Sequence, residues 1–192
     1  MVNQFPLNVY VGDVQITNNT KNSVTEPFNG VVNVKKRNVQ WWEIKFKTTA
    51  CGQKAVRELE AFVDSLDGQF GVFDFVAGNK GKPLNRIRGA ATTVKTEAGK
   101  NQIKINGITG SFSTGDFISF SNHSKVYRIT NYDQNSGIAE IRPALRKAQN
   151  LGDSVKYDGV TFKLKLKRDD IKYKYIDSEN ILEVSFDTRE AL

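Results

Sequence analysis

The stretch VQWWEIKFKTTACGQKAVRELEAFVDSLD, residues 39–67, decides the fold because its apolar period changes halfway along. In its first part, Trp42, Ile44 and Phe46 alternate with charged residues, which is the period of a half-buried strand. In its second part, five apolar residues form one helical stripe, namely Val56, Leu59, Phe62, Val63 and Leu66. We therefore predict a strand over residues 39–49 and one amphipathic helix over about 53–67 that packs on a sheet.

Strand patterns also occur at both ends of the chain. Residues 8–17 (NVYVGDVQIT) alternate around a Gly12-Asp13 step that indicates a turn or bulge, and residues 18–22 (NNTKN) have the composition of a turn. The aromatic stretch 69–76 is typical of a buried strand, and residues 181–186 (ILEVSF) predict a last one.

In the middle of the chain, residues 89–158, the strand patterns become shorter and more closely spaced. Short strand candidates alternate with turn signals, and they cover residues 92–96, 102–105, 116–121, 125–131, 137–142 and 154–157. This spacing predicts a small β-barrel or sandwich, and we favour an OB-like barrel. Its aromatic residues Phe117, Phe120, Tyr127 and Tyr132 lie among only a small excess of basic residues, so we predict that they form the core.

Residues 162–175 alternate apolar and lysine positions and predict a hairpin that turns at Asp169-Asp170. The lysines of one face are Lys163, Lys165, Lys167, Lys172 and Lys174. In this register Lys167 would face Lys172 and Lys165 would face Lys174, and opposed like charges destabilise a sheet. An acidic partner or a phosphate backbone would relieve them, whereas the alternative is that lysines keep an exposed edge soluble.

Trp41 and Trp42 are adjacent, so in a strand their side chains point to opposite sides. We expect one of them in the core and the other outside. An outward Trp fits a subunit interface, and stacking on a base or a sugar is the alternative. Together with the five lysines, these two residues are our candidates for a partner interface.

The sequence contains no motif for catalysis, cofactor binding or metal binding. The net charge is +7, His123 is the only histidine and Cys51 the only cysteine. A lone histidine cannot build a histidine-rich metal site, and we expect Cys51 to be a small apolar filler beside the helix. No stretch approaches the roughly 20 apolar residues of a membrane helix. We therefore expect no enzyme, no cofactor, no metal and no membrane insertion.

The order of these features resembles the distal tail proteins of long-tailed, siphovirus-type bacteriophages. QWWEIKFK leads into AVRELEAFVDSLDGQFGVFDF, then into the connection VAGNKGKPLNRIRGAAT. The block INGITGSFSTGDFISFSNHSKVYRITNYDQNSGIAEIRPALR follows, with its Gly115-Asp116 step and its Pro-x-Leu-Arg end, and the chain closes with VSFDTREAL. The resemblance extends from about residue 39 to the C-terminus and carries no catalytic residues.

The resemblance implies a mainly β fold in two parts. Residues 1–82 and 159–192 would form a ring-forming, β-sandwich-like domain with the helix, and residues 83–158 an inserted OB-like barrel. Six copies would close into a ring at the distal end of the tail tube, with DNA only passing through the lumen. The implied partners are further copies of this chain, the tail-tube protein and hub or receptor-binding proteins.

The resemblance also implies a location, which is the phage tail tip of a virion made in the host bacterial cytoplasm. The alternative function is an OB-like module that binds single-stranded nucleic acid or oligosaccharide, which predicts exposed aromatic residues on one barrel face. Another tail component of similar build is a further alternative.

Overall fold

The structure is a computed structural model that describes residues 2–28, 30–176 and 180–192. The described residues contain one α-helix, and the chain divides into two compact units. The sheet unit comprises Met1–Thr17, Trp42–Ala77 and Thr161–Leu192, and the barrel unit comprises Asn18–Trp41 and Gly78–Val160. The long strands β2 (Val9–Thr25) and β3 (Asn33–Cys51) contribute residues to both units, and the predicted boundaries at 83 and 158 stay a prediction.

The sheet unit is built on one seven-stranded sheet in the order β1-β4-β11-β13-β3-β2, with β12 also paired to β13. Its strands are β1 (Val2–Gln4), β2 (Val9–Thr25), β3 (Asn33–Cys51), β4 (Val72–Val76), β11 (Thr161–Leu166), β12 (Tyr173–Ile176) and β13 (Ile181–Glu190). The predicted alternation of residues 39–49 is confirmed, because Trp42, Ile44 and Phe46 are buried. Phe46 stacks on Phe75 and Phe186, and these rings form the centre of the core.

The predicted helix is confirmed as α1 (Gln53–Ser65), and all five residues of its apolar stripe are buried. The chain turns sharply after it at Gly68, which has a φ of +61°. A Cβ atom at Gly68 would lie 2.5 Å from Asp169 Oδ1, so a side chain does not fit. Asp169 also accepts hydrogen bonds from Gln69 N at 2.9 Å and Gln69 Nε2 at 3.1 Å. The carboxylate of Asp169 thus holds the loop that follows the helix.

The predicted hairpin over residues 162–175 is wrong. β11 pairs with β4 and β13, and β12 pairs with β13 rather than with β11. Since β3 occupies the other edge of β13, β11 and β12 follow one another along the same edge. The Asp169-Asp170 step lacks the Asn-Gly or Asp-Gly chemistry of a tight turn, and Asp169 is used to bind Gln69 instead.

The turn predicted at residues 18–22 is also wrong, because these residues lie inside the continuous strand β2. Exposed side chains dominate this part of β2, so the sequence shows polar turn-like residues instead of an apolar face. The ladder with β3 keeps the backbone extended. At the predicted Gly12-Asp13 irregularity the strand does depart from regular geometry, since Asp13 has a φ of +50°.

The barrel unit contains a six-stranded sheet in the order β10-β7-β8-β9-β6-β5. Its strands are β5 (Thr92–Thr93), β6 (Gln102–Asn106), β7 (Phe117–Phe120), β8 (Val126–Asp133), β9 (Ile138–Arg142) and β10 (Val155–Lys156), preceded by a 3₁₀ turn at Gly78–Gly81. A bridge between Thr92 and Ser154 links the first and last strands, so the sheet is nearly closed. All six strand candidates of the sequence are found here.

Three of the four aromatic residues that the sequence assigned to the barrel core are found there. Phe120 and Tyr127 belong to the buried cluster, and Tyr132 packs against it. Phe117 is buried too, but it is not a member of this cluster. The mainly β fold with one helix and a barrel-like insert is therefore confirmed, while the more specific OB-like assignment stays a prediction.

Candidate assembly surface

The five predicted lysines do not share one hairpin, and the structure gives them different neighbours. Lys163 stands opposite Asp74 in the ladder, and Lys165 stands opposite Arg189. Lys174 forms an ion pair of 2.8 Å with Glu183 on the adjacent strand. Lys172 is exposed in the segment between β11 and β12. Lys163 and Lys174 thus have acidic neighbours within the same sheet, and an external acidic partner for the five lysines stays a prediction.

Lys167 lies close to two carboxylates of the same sheet. Its Nζ atom lies 3.0 Å from Glu43 Oε2 and 3.6 Å from Asp187 Oδ1. The hydrogen bond to Glu43 raises the pKa of Lys167, and the charge of Asp187 acts in the same direction against the cost of burial. Lys45 approaches Asp187 as well, at 3.6 Å. The outer face of the sheet therefore carries alternating, mutually compensated charges.

We expect Lys167→Gln to lower the free energy of unfolding by about 1 kcal/mol, because it leaves two carboxylates without their shared cation. Lys165→Gln is the matched control, since it removes a positive charge that faces Arg189, and its effect should lie within about 0.5 kcal/mol. Urea unfolding at low and high salt measures both variants. Equal losses for the two variants would contradict the network.

A broad groove of about 1140 Å³ lies on the sheet unit beside these charges. Five basic and four acidic side chains line it, so its charge is almost balanced. Lys47 is paired there with Asp13 at 2.8 Å, a hydrogen bond that raises the pKa of Lys47. A phosphate backbone requires an excess of positive charge, and this groove does not provide one.

The two tryptophans point to opposite sides, as expected for neighbours in a strand. Trp42 is only 1% exposed and belongs to the core, while its backbone N–H donates to Glu190 Oε2 at 3.1 Å. Trp41 is half-buried. Of the two, only Trp41 keeps surface that a partner could contact, and the partner-interface role of the seven residues stays a prediction.

A run of exposed apolar residues that the sequence reasoning missed lies where β2 leads into β3. We call residues 24–34, apart from Asn29, the apolar tip. Its exposed apolar residues are Val24, Phe28, Val31, Val32 and Val34. The sequence signal for this exposure was the apolar run VVNV at residues 31–34, which is followed by two lysines and does not alternate as a half-buried strand does. A contiguous exposed apolar patch marks an interaction site more often than scattered residues do.

A polar network in the barrel unit surrounds the single histidine. His123 Nδ1 donates to Asn122 Oδ1, and its Nε2 accepts the hydroxyl proton of Tyr127 at 2.7 Å. The Tyr127 oxygen in turn accepts from the backbone N–H of Arg146 at 2.9 Å. This arrangement uses a neutral imidazole. Burial lowers the pKa of His123 to about 4, and the charges of Lys147, Arg146 and Lys125 act in the same direction.

We expect the free energy of unfolding to fall as the pH drops from 6.5 to about 4. Over this range His123 becomes protonated in the unfolded chain but stays neutral in the folded chain. His123→Gln should lose this part of the pH dependence, which we put at about 1 kcal/mol because solvent screens the half-buried ring. Unfolding curves at both pH values test this, together with an NMR titration of the only imidazole. A titration midpoint near 6.5 in the folded protein would contradict it.

Within residues 2–28, 30–176 and 180–192, no three His, Cys, Asp or Glu side chains are grouped so that they could hold a metal ion. Cys51 is exposed at the end of β3, so the expectation of a buried apolar filler is wrong. None of the helical segments in the described part of the chain is long and apolar enough to cross a bilayer.

Comparison with known proteins adds one family. Residues 84–160 match the model of the B domain of distal tail protein pb9, and this range covers the strands β5 to β10 of the barrel unit. No curated protein matches the chain. The match confirms the resemblance that the sequence indicated and supports a structural role in a phage tail. Residues 84–160 thus belong to the B-domain family of phage distal tail proteins, and the chain carrying them is similar to those proteins.

Proposed function

We propose that this chain is a non-enzymatic tail-tip protein that forms a hexameric ring at the distal end of the tail tube. In this role it joins the tube protein to the hub or receptor-binding proteins and leaves a lumen through which DNA passes. The observation that carries the proposal is the long hairpin of β2 and β3, which ends in the apolar tip.

The position of β2 supports assembly through this hairpin. β2 has 17 residues and ends the order of strands in its sheet, so one edge of its backbone is available to another chain. Long edge strands favour pairing with further copies, and a closed ring satisfies every edge with a neighbour. The exposed valines and Phe28 of the apolar tip would be removed from water by the same contact.

The alternative, a barrel that binds single-stranded nucleic acid or oligosaccharide through aromatic stacking, has less support. Such a module presents aromatic rings on one open face. Here Phe120 and Tyr127 belong to the buried core of the barrel, and Phe117 is buried as well. Arg128 lies 4.7 Å from the centre of the Phe117 ring, so one face of that ring is already covered.

Light scattering on the purified chain tests the ring, over a range of concentrations and at low and high salt. We expect a mass near six times 21.5 kDa and rings in negative-stain images. Val32→Asp in the apolar tip should shift the mass toward a single chain, while the control Leu151→Asp, also at an exposed apolar residue, should not. A single-chain mass under all conditions, also with tail-tube protein added, would contradict the proposal.

A further inference from the structure

We propose that a small pocket of the barrel unit binds one polyol phosphate group, such as a glycerol phosphate unit. The pocket has a volume of about 140 Å³. Residues 142–144, at the end of β9 and just after it, line one side. The rest of the lining comes from two strands, namely Asn18, Thr20 and Asn22 of β2 and Lys36, Asn38, Val39 and Gln40 of β3.

Gln40 is the residue that points to a ligand. Its side chain is almost completely buried, with 4% of the residue exposed. Its Nε2 donates to Asn18 Oδ1 at 2.7 Å, and its backbone oxygen accepts from Arg146 Nη2 at 2.6 Å, so its position is fixed at both ends. Its Oε1, however, receives no hydrogen bond from any described residue. Buried acceptors without a donor are rare in proteins, and a hydroxyl group in the pocket would supply one.

The charges around the pocket indicate that the ligand is also an anion. Lys36 and Arg142 are the ionisable side chains of the lining, and no Asp or Glu of the described residues lines it. In addition, Arg128 and Arg142 stand opposite each other in the β8–β9 ladder. Opposed like charges are unfavourable in a sheet, and an anionic oxygen beside them relieves the repulsion. A guanidinium group suits a phosphate because its donors form a planar fork.

Size and composition narrow the class of ligand further. The pocket, with a volume of about 140 Å³, has room for one small group. Among the described lining residues there is no aromatic ring on which a base or a sugar could stack. Four carboxamides and one hydroxyl offer both donors and acceptors at short range. A compact ligand with hydroxyl groups and a phosphate matches this set.

Titration of the full ¹⁵N-labelled chain with glycerol 3-phosphate tests the proposal, because the side-chain amide signals of Asn18, Asn22, Asn38 and Gln40 report on the pocket directly. We expect saturable shifts of these four signals with a dissociation constant of about 1–10 mM, as is reasonable for so small a ligand. Glycerol alone and inorganic phosphate alone should each bind at least about tenfold more weakly, since each offers half of the required groups.

Two variants locate the binding site. Arg142 lies at the surface, and Arg142→Gln should weaken the binding of glycerol 3-phosphate about tenfold. The matched control Arg86→Gln, at an exposed arginine of the same unit, should leave this binding unchanged. Gln40→Glu should also weaken binding, because it places a negative charge beside the phosphate. A dimer of glycerol phosphate that binds more tightly than the monomer indicates a polymer as the source, and equal affinity indicates a free ester.

Three results would overturn the assignment. They are the absence of saturable shifts at the four amides, shifts that are equally strong with glycerol or with phosphate alone, and binding that Arg142→Gln and Arg86→Gln leave equally intact. In the first case the pocket holds only water. Because the titration follows the pocket and light scattering follows the mass of the particle, failure of this proposal is separate from failure of the ring.

Discussion

Phe46→Ala is expected to lower the free energy of unfolding by about 3–5 kcal/mol, the usual cost of removing a fully packed aromatic side chain. Phe46 is 2% exposed, and its ring centre lies 4.3 Å from that of Phe75 and 4.9 Å from that of Phe186. Phe5 adds an edge contact at 5.8 Å. Removal of the ring leaves a cavity between strands β3, β4 and β13, which a rigid sheet cannot close.

Urea unfolding followed by tryptophan fluorescence measures this loss, since Trp42 lies on the same face of β3 as Phe46. Phe70→Ala is the matched control. Phe70 is exposed in the loop after α1, so its substitution should change the free energy of unfolding by less than about 0.5 kcal/mol. A loss below about 1 kcal/mol for Phe46→Ala would show that the stacked rings are not the centre of the core.

The parts of the fold that could be predicted are those in which burial follows a regular period. Strand 39–49 and helix 53–67 each bury one face, so the pattern of apolar residues reports their geometry directly. The short strands of the barrel were predictable for a second reason. Glycine and polar turn residues separate them, and alternate positions such as Ile103 and Ile105 point into the core.

The failures share a physical cause, which is that strand pairing depends on neighbours distant in sequence. Residues 162–166 and 171–175 have matching alternation, so they look like the two strands of a hairpin. However, both segments pair with the long edge of β13, and the Asp169-Asp170 step lacks the residues that favour a tight turn. Similarly, residues 18–22 look like a turn because few of their side chains are buried, although β3 holds them in a ladder. Local composition contains no information on either partner.

The candidate site was predictable only in outline. The five lysines were expected on one hairpin face, whereas their acidic neighbours Glu43, Glu183 and Asp187 lie on other strands of the same sheet and could not be matched to them beforehand. The apolar tip was visible as VVNV, and its exposure follows from the length of the hairpin. The pocket at Gln40 depends on residues far apart in sequence, so no local pattern could indicate it.

Asp116 is a residue that the family pattern contains but whose role only the structure explains. It is 7% exposed, and its carboxylate accepts from the backbone N–H of Leu84 at 3.1 Å and of Ser113 at 2.8 Å. Asp116 therefore connects residue 84, where the matched domain begins, with the loop that precedes β7. Hydrogen bonds to a charged acceptor are stronger than neutral ones, and loss of the acceptor leaves both donors unsatisfied.

We expect Asp116→Ala to lower the free energy of unfolding by about 2–4 kcal/mol and Asp116→Asn, which keeps one of the two acceptor oxygens, by about half as much. Asp158→Ala, at an exposed aspartate of the same unit, is the control and should be nearly neutral. Hydrogen exchange adds a local measurement, because the amides of Leu84 and Ser113 should lose protection before the strands of the barrel do. If both amides stay protected in Asp116→Ala, the carboxylate does not hold the entry of the domain, and the strand ladders alone must be sufficient to fix it.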